Sequence, residues 1–152
     1  MADYAKDVLV DTQWVENHLG DDSVRIVEVD ENTALYAEAH IPGAIGFDWK
    51  RDLQDQVKRD FLGPEEFGEL FGSRGISNDH TIVLYGDRNN WFAAYTYWYL
   101  RYYGHDNVKL VNGPREPNSS PNSSGPRKSR LTWSCRSVFQ SKPIAPGMWA
   151  SA

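Results

Sequence analysis

Cys135 is the only cysteine in this 152-residue chain. That excludes a disulfide framework within the chain and a metal site built on several cysteines. No run of about 18 apolar residues is present, so nothing reads as a membrane span. Basic residues are in the minority, with 16 Lys and Arg against 21 Asp and Glu and a formal net charge of −5. That balance argues against nucleic acid as the main partner. The start, MADYAKDVLVD, is acidic and lacks the apolar core of a signal peptide. These absences fit a reduced, cytoplasmic protein with no membrane contact. What is present is 40% hydrophobic and 13% aromatic, with six Trp and eight Tyr. The length suffices for one domain with a core, and the aromatics point to bulky packing or an aromatic-lined surface.

The average charge hides a break near Gly113. Residues 1–113 hold 20 acidic and 10 basic residues, net −10, whereas residues 114–152 hold one acidic and six basic, net +5. The second stretch also carries six of the eight prolines and nine serines. PREPNSSPNSSGPRKSR has neither a helical nor a strand period, so residues 114–152 are expected to form a disordered tail. The domain proper is expected over residues 7–113.

Within that span, strand and helix signals alternate. DVLV (Asp7–Val10) reads as a short strand, and Thr12 is placed to cap the helix QWVENHL, which Gly20 ends. VRIVEVD (Val24–Asp30) is rich in β-branched residues and reads as a central strand. AIGFDW (Ala44–Trp49) follows the Pro42-Gly43 turn as another strand. Pro64 opens a helix with Phe67, Leu70 and Phe71 on its apolar face, stopped by Gly75. TIVLY (Thr81–Tyr85) is an uninterrupted apolar strand, WFAAYTYWYLRYY an apolar helix ending at Gly104, and VKLV (Val108–Val111) the next strand. This order predicts an α/β fold with a mostly parallel sheet covered on both faces. Ligands of such sheets sit beyond the carboxyl ends of the strands, which points to Asp30 and the loop Gly86–Asn90.

The most specific segment is YAEAHIPGAIGF (Tyr36–Phe47). His40 ends a helical turn, Pro42 fixes φ, and Gly43 permits a tight turn into the next strand. For His40 a local hydrogen bond that pins the turn is favoured over a direct catalytic role. The set Tyr36, His40, Ile41, Pro42, Gly43, Ala44 and Phe47 resembles the N-terminal signature of rhodaneses, the thiosulfate sulfurtransferases. VEVDENTALYAEAHIPGAIGFDWKRDLQD, RGISNDHTIVLYG and YWYLRYYGHDNVKLVNG extend the resemblance over roughly Asp7–Gly113. It is strongest to the N-terminal, non-catalytic domain of two-domain, actinobacterial-type sulfurtransferases.

The resemblance implies a rhodanese-like fold and transfer of sulfane sulfur from thiosulfate to cyanide or a thiol, with no cofactor and no metal. It also implies a nucleophilic cysteine directly after the central strand. Gly86 stands at that position, or Asp87 if the loop is shifted by one, and neither carries sulfur. Asp87 is expected to put a negative charge where an anionic donor would bind. The chain is therefore expected to be the inactive half, with a Cys-bearing domain elsewhere handling thiosulfate. Trp91 and Phe92 are then expected as part of the wall beside that partner's active site, or simply as the start of a buried helix. Arg88, with Asn89 and Asn90, is expected to cap the helix in a solvated loop rather than steer an anion. A second reading is a stand-alone module that binds another protein. A cysteine phosphatase is excluded because the loop has no Cys and Ser141 stands where Cys135 would need an Arg. Cys135 itself reads as an incidental thiol.

After KLVNG the family continues into a last helix carrying Trp, but here Pro114 and Pro117 block it. The tail is therefore expected to be a frameshifted or truncated sequence. The domain would lack its last helix, leaving sheet side chains bare and the fold marginal unless the tail covers them.

Overall fold

The computed structural model describes residues 8–113. Residues 1–7 and 114–152 lie outside the described residues, and with them the expectations for Asp7, Cys135, the tail and the last helix. In chain order the elements are β1 (Leu9–Val10), α1 (Thr12–Asn17), β2 (Val24–Asp30), α2 (Ala34–Glu38) and β3 (Ile45–Asp48). They continue with α3 (Trp49–Asp52), α4 (Pro64–Ser73), β4 (Thr81–Gly86), α5 (Asp87–Tyr102) and β5 (Val108–Val111). The five strands form one parallel sheet in the order β1-β5-β4-β2-β3.

Side-chain alternation along the strands divides the core into two layers. Val27 and Val29 of β2 and Ile82 and Leu84 of β4 face α4 and α5, meeting Phe67, Phe71, Phe92, Ala93, Tyr99 and Leu100. Val24 and Ile26 of β2 and Val83 and Tyr85 of β4 face the other way, joined by Val10, Val15, Ile41, Ala44 and Val111. Every residue of this second set is buried. Each large apolar side chain so placed contributes about 1.5–3 kcal/mol.

Two element boundaries differ from the sequence reading for a clear local reason. Asp11, not Thr12, caps α1, accepting the Trp14 N–H at 2.8 Å. The strand expected through Trp49 stops at Asp48, whose carboxylate accepts the N–H groups of Lys50 and Arg51 and starts α3. The long helix is regular from Trp91, where the sequence reading began it, because Arg88, Asn89 and Asn90 before it all have positive φ. β2 and β5 have the expected bounds, and α4 begins at Pro64, where Glu66 reaches back to the Gly63 N–H.

Arg74, at the end of α4, ties the outer strand in place. Its guanidinium donates to the Gly46 carbonyl and to Asp52 (2.8 Å), and lies 4.2 Å from the centre of the Phe47 ring. Tyr99 and Tyr103 of α5 hold the 53–63 loop in a similar way. The Leu62 N–H donates to the Tyr99 hydroxyl at 2.6 Å, and the Tyr103 hydroxyl donates to the Leu62 carbonyl.

Candidate functional site

The carboxyl ends of β2 and β4 lie side by side, with Val29 paired to Gly86. Gly86 has extended backbone, with φ 177°. Its need for glycine is one of space, since a Cβ there would meet the Val29 carbonyl oxygen at 2.0 Å. No side chain fits at position 86 while the two strands stay paired.

Asp87 is buried, at 3% exposure. Its own N–H donates to Asp30 at 2.9 Å. Its carboxylate turns away from solvent and accepts the N–H groups of Glu31 (3.1 Å) and Asn32 (3.0 Å). The expectation of a charge aimed at an incoming anion is thus corrected: the carboxylate is spent on the loop after β2. This joins the two strand ends behind the loop.

The next three residues make a left-handed turn, with φ of 50°, 58° and 62° at Arg88, Asn89 and Asn90. Asn tolerates this region better than other non-glycine residues, and Arg does not. Asn90 closes the turn with its side chain. Its amide oxygen accepts the Gly86 N–H at 3.0 Å, and its amide NH2 donates to the carbonyls of Val111 and Gly113, both at 2.9 Å. Arg88 does not cap the helix, because its guanidinium pairs with Glu31 at 2.9 Å. Lys50 approaches the same Glu31 at 3.9 Å.

The two aromatics that follow separate. Trp91 is 73% exposed, whereas Phe92 is buried and tilts against Trp49 with ring centres 4.5 Å apart. Phe92 therefore belongs to the core and does not line a surface; Trp91 is the member of the pair that presents a face to solvent.

The signature segment makes hydrogen bonds within itself and with Tyr85, the residue before Gly86. His40 Nδ1 is 2.9 Å from the Tyr36 carbonyl, and the two rings stack at 4.1 Å. The Tyr36 hydroxyl donates to the Ala44 carbonyl at 2.7 Å, and burial pushes its pKa above the ordinary tyrosine value. Gly43 takes φ 79°, which a residue with a side chain rarely adopts. Ile41, Ala44 and Phe47 are buried. The Ile41 N–H donates to the Tyr85 hydroxyl at 3.1 Å, and that hydroxyl donates to the buried Glu28. The segment anchors the α2–β3 connection to the end of β4.

Gly86, Asp87, Arg88 and Trp91 lie together at the end of β4 and the start of α5, whereas Phe92 is turned into the core. Sequence reasoning missed the bridging role of Asn90 and the pairing of Asp87 with the 31–32 backbone. The Asn-Asn dipeptide before an apolar helix was the available signal for a left-handed turn. Among the described residues no group of His, Cys, Asp and Glu could hold a metal ion. None of the loop residues 86–90 carries sulfur.

Residues 11–114 match the family description "Rhodanese-like domain". The chain is 59% identical over 120 residues to a putative thiosulfate sulfurtransferase of Haloferax volcanii, covering 76% of this chain and 42% of that protein. It is 56% identical over 110 residues to the sulfur carrier protein TtuD of Thermus thermophilus, covering 72% of this chain and 39% of that one. The chain therefore spans about two-fifths of the length of the curated relatives it matches. Among solved structures, the 3-mercaptopyruvate sulfurtransferase SseA from Escherichia coli superposes with a TM-score of 0.59 at 26% identity, over 68% of this chain and 44% of that one. A parallel sheet closed by a turn at the end of β4, with sequence and fold relatives of one kind, gives a single assignment: the chain belongs to the rhodanese family through the domain at residues 11–114.

Proposed function

We propose that this chain is the non-catalytic, N-terminal-type half of a thiosulfate sulfurtransferase. In this reading a Cys-bearing rhodanese domain, or another protein carrying one, moves sulfane sulfur from thiosulfate to cyanide or a thiol. This chain supplies a wall beside that partner's site. The observation that carries the reading is Gly86. It stands where a nucleophilic cysteine would be, and its Cβ would collide with the Val29 carbonyl oxygen at 2.0 Å. A thiolate cannot be housed there, and no cysteine lies within residues 8–113. Trp91, at the exposed start of the regular part of α5, is the side chain this reading puts against the partner, with Arg88 held by Glu31 at its edge. Neither cofactor nor metal enters this role. A sequence with a single cysteine fits a cytoplasmic setting.

The test is thiocyanate formation by the purified chain incubated with thiosulfate and then cyanide. No product above blank is expected. Turnover that disappears in Cys135→Ser would overturn the reading and give the region beyond Gly113 a catalytic part. For that region we propose a shifted reading frame. Translation of the coding DNA in the other two frames should then yield a continuation with a helix and a Cys-bearing second domain; its absence from both frames would refute the shift.

A stand-alone module that binds a protein partner is the second reading, favoured by the exposure of Trp91, Trp98 and Tyr102 on α5. A pull-down lost in Trp91→Ala, with no sulfur transfer in the bound complex, would select it.

A further inference from the structure

Helix α5 is apolar on two opposite sides. Phe92, Ala93, Thr96, Tyr99 and Leu100 face the sheet and are buried. On the other side Trp91, Trp98 and Tyr102 follow one another at helical spacing and are 73%, 70% and 72% exposed. A helix apolar all round is a helix covered all round. Surface tryptophans scattered singly need no explanation, but three large aromatics in one line do.

We infer that this stripe is a self-complementary docking surface whose occupant is α5 of a second copy of this chain, running antiparallel across a twofold axis. The reason lies in the order of sizes and charges along the stripe. Ala94 is a half-buried gap between Trp91 and Trp98. Arg101 stands one step from Tyr102, its guanidinium held at the surface by Asp106 at 2.6 Å. With the twofold axis at the level of Thr96, residue 94 meets residue 98 of the second copy, and residue 91 meets residue 101. Trp98 of each copy then fills the gap over Ala94 of the other. Arg101 of each copy lies over Trp91 of the other, a cation on an aromatic face. An isologous contact needs this pairing of unlike with unlike about its axis. The regular part of the helix is about 18 Å long, at 1.5 Å per residue, so both pairs of contacts fit on one face.

The area is adequate for a weak dimer. In this pairing Trp91, Trp98 and the stem of Arg101 offer on the order of 400 Å2 per copy, with Tyr102 at the rim. Both copies with their flanking residues reach about 1,000 Å2, where specific interfaces begin. The inference goes beyond the proposed function. Trp91 is also the ring offered there to a catalytic partner, so the dimer and that complex exclude each other. The experiment below contains no partner, and its failure leaves the partner reading intact.

The test is sedimentation equilibrium of the purified chain from about 1 µM to 1 mM, the range in which interfaces of this size associate weakly. A reversible monomer–dimer equilibrium is expected. Trp98→Ala should weaken it about tenfold or more. Ala94→Trp is the decisive variant. It fills the gap and should abolish the dimer, whereas on an unspecific sticky surface the added apolar area would tighten association. Both sites are on the surface side of the helix, and circular dichroism of each variant checks that the monomer is folded. A chain that stays monomeric at 1 mM, an Ala94→Trp variant that associates as well or better, or open-ended assembly beyond the dimer would each overturn the inference.

Discussion

The carbonyl oxygen of Val29 occupies the space in which a side chain at Gly86 would begin, 2.0 Å from the position of its Cβ. Glycine at the end of β4 is therefore a packing requirement of the β2–β4 pairing, not a neutral replacement of a nucleophile. Gly86→Cys should lose about 2–4 kcal/mol of stability, because one strand must move to admit the side chain. Urea denaturation reads the loss, and the thiosulfate–cyanide assay should stay at blank. A Gly86→Cys protein as stable as the parent would show that the strand ends separate easily.

Asn90 holds the left-handed turn by three hydrogen bonds reaching Gly86, Val111 and Gly113. It also tolerates φ 62° better than most residues. Asn90→Ala removes both contributions and should cost about 2–4 kcal/mol. Asn90→Gly loses the bonds but keeps the backbone freedom, so it should cost about 1 kcal/mol less than Ala. The order Asn, Gly, Ala in denaturation midpoint is the signature. Equal losses for Gly and Ala would mean the strain is negligible.

The parts of this fold legible in the sequence were those set by pattern. Val24–Asp30, Thr81–Tyr85 and Val108–Val111 are rich in β-branched and other apolar residues, and each lies in a strand of the sheet. Pro64 and Gly75 bracket α4 because one fixes φ and the other takes φ 75°. What escaped was set by contacts across the chain. That Asp11 rather than Thr12 caps α1 depends on which side chain reaches Trp14. That Asp87 is buried depends on N–H groups 55 and 56 residues away in sequence. At the site, the position of the loop and its lack of sulfur were readable from Gly86 and Asp87. The inward turn of Phe92 was not, since adjacent residues on a helix always point apart and only the packing of Trp49 decides which one is inside.

The division between Trp91 and Phe92 is measurable. Phe92→Ala empties a place beside Trp49 in the core and should cost about 3–5 kcal/mol. Trp91→Ala removes a ring 73% exposed and should leave stability within about 0.5 kcal/mol at low protein concentration. If Trp91→Ala destabilised as strongly as Phe92→Ala, the exposed placement of Trp91 would be wrong.

Alkaline pH tests the aromatic clamp on the 53–63 loop. Tyr99 packs against Phe61 (ring centres 4.6 Å apart) and Phe67 (4.9 Å), and burial raises its pKa well above 10. The same cause, in a smaller degree, raises Tyr95. The raised value means that the folded state keeps the neutral hydroxyl while the unfolded chain ionises. The stabilisation is complete below the unfolded tyrosine pKa of about 10 and is lost as pH climbs from there toward the folded value. Urea midpoints should therefore be flat from pH 7 to 9.5 and fall steadily above pH 10. Tyr99→Phe cannot ionise, so its midpoint should fall less over the same interval. Its unfolding free energy at pH 7 should be lower by about 1 kcal/mol, because the Leu62 N–H then loses its acceptor. An alkaline fall of the same slope in the parent and in Tyr99→Phe would place the titration elsewhere in the chain.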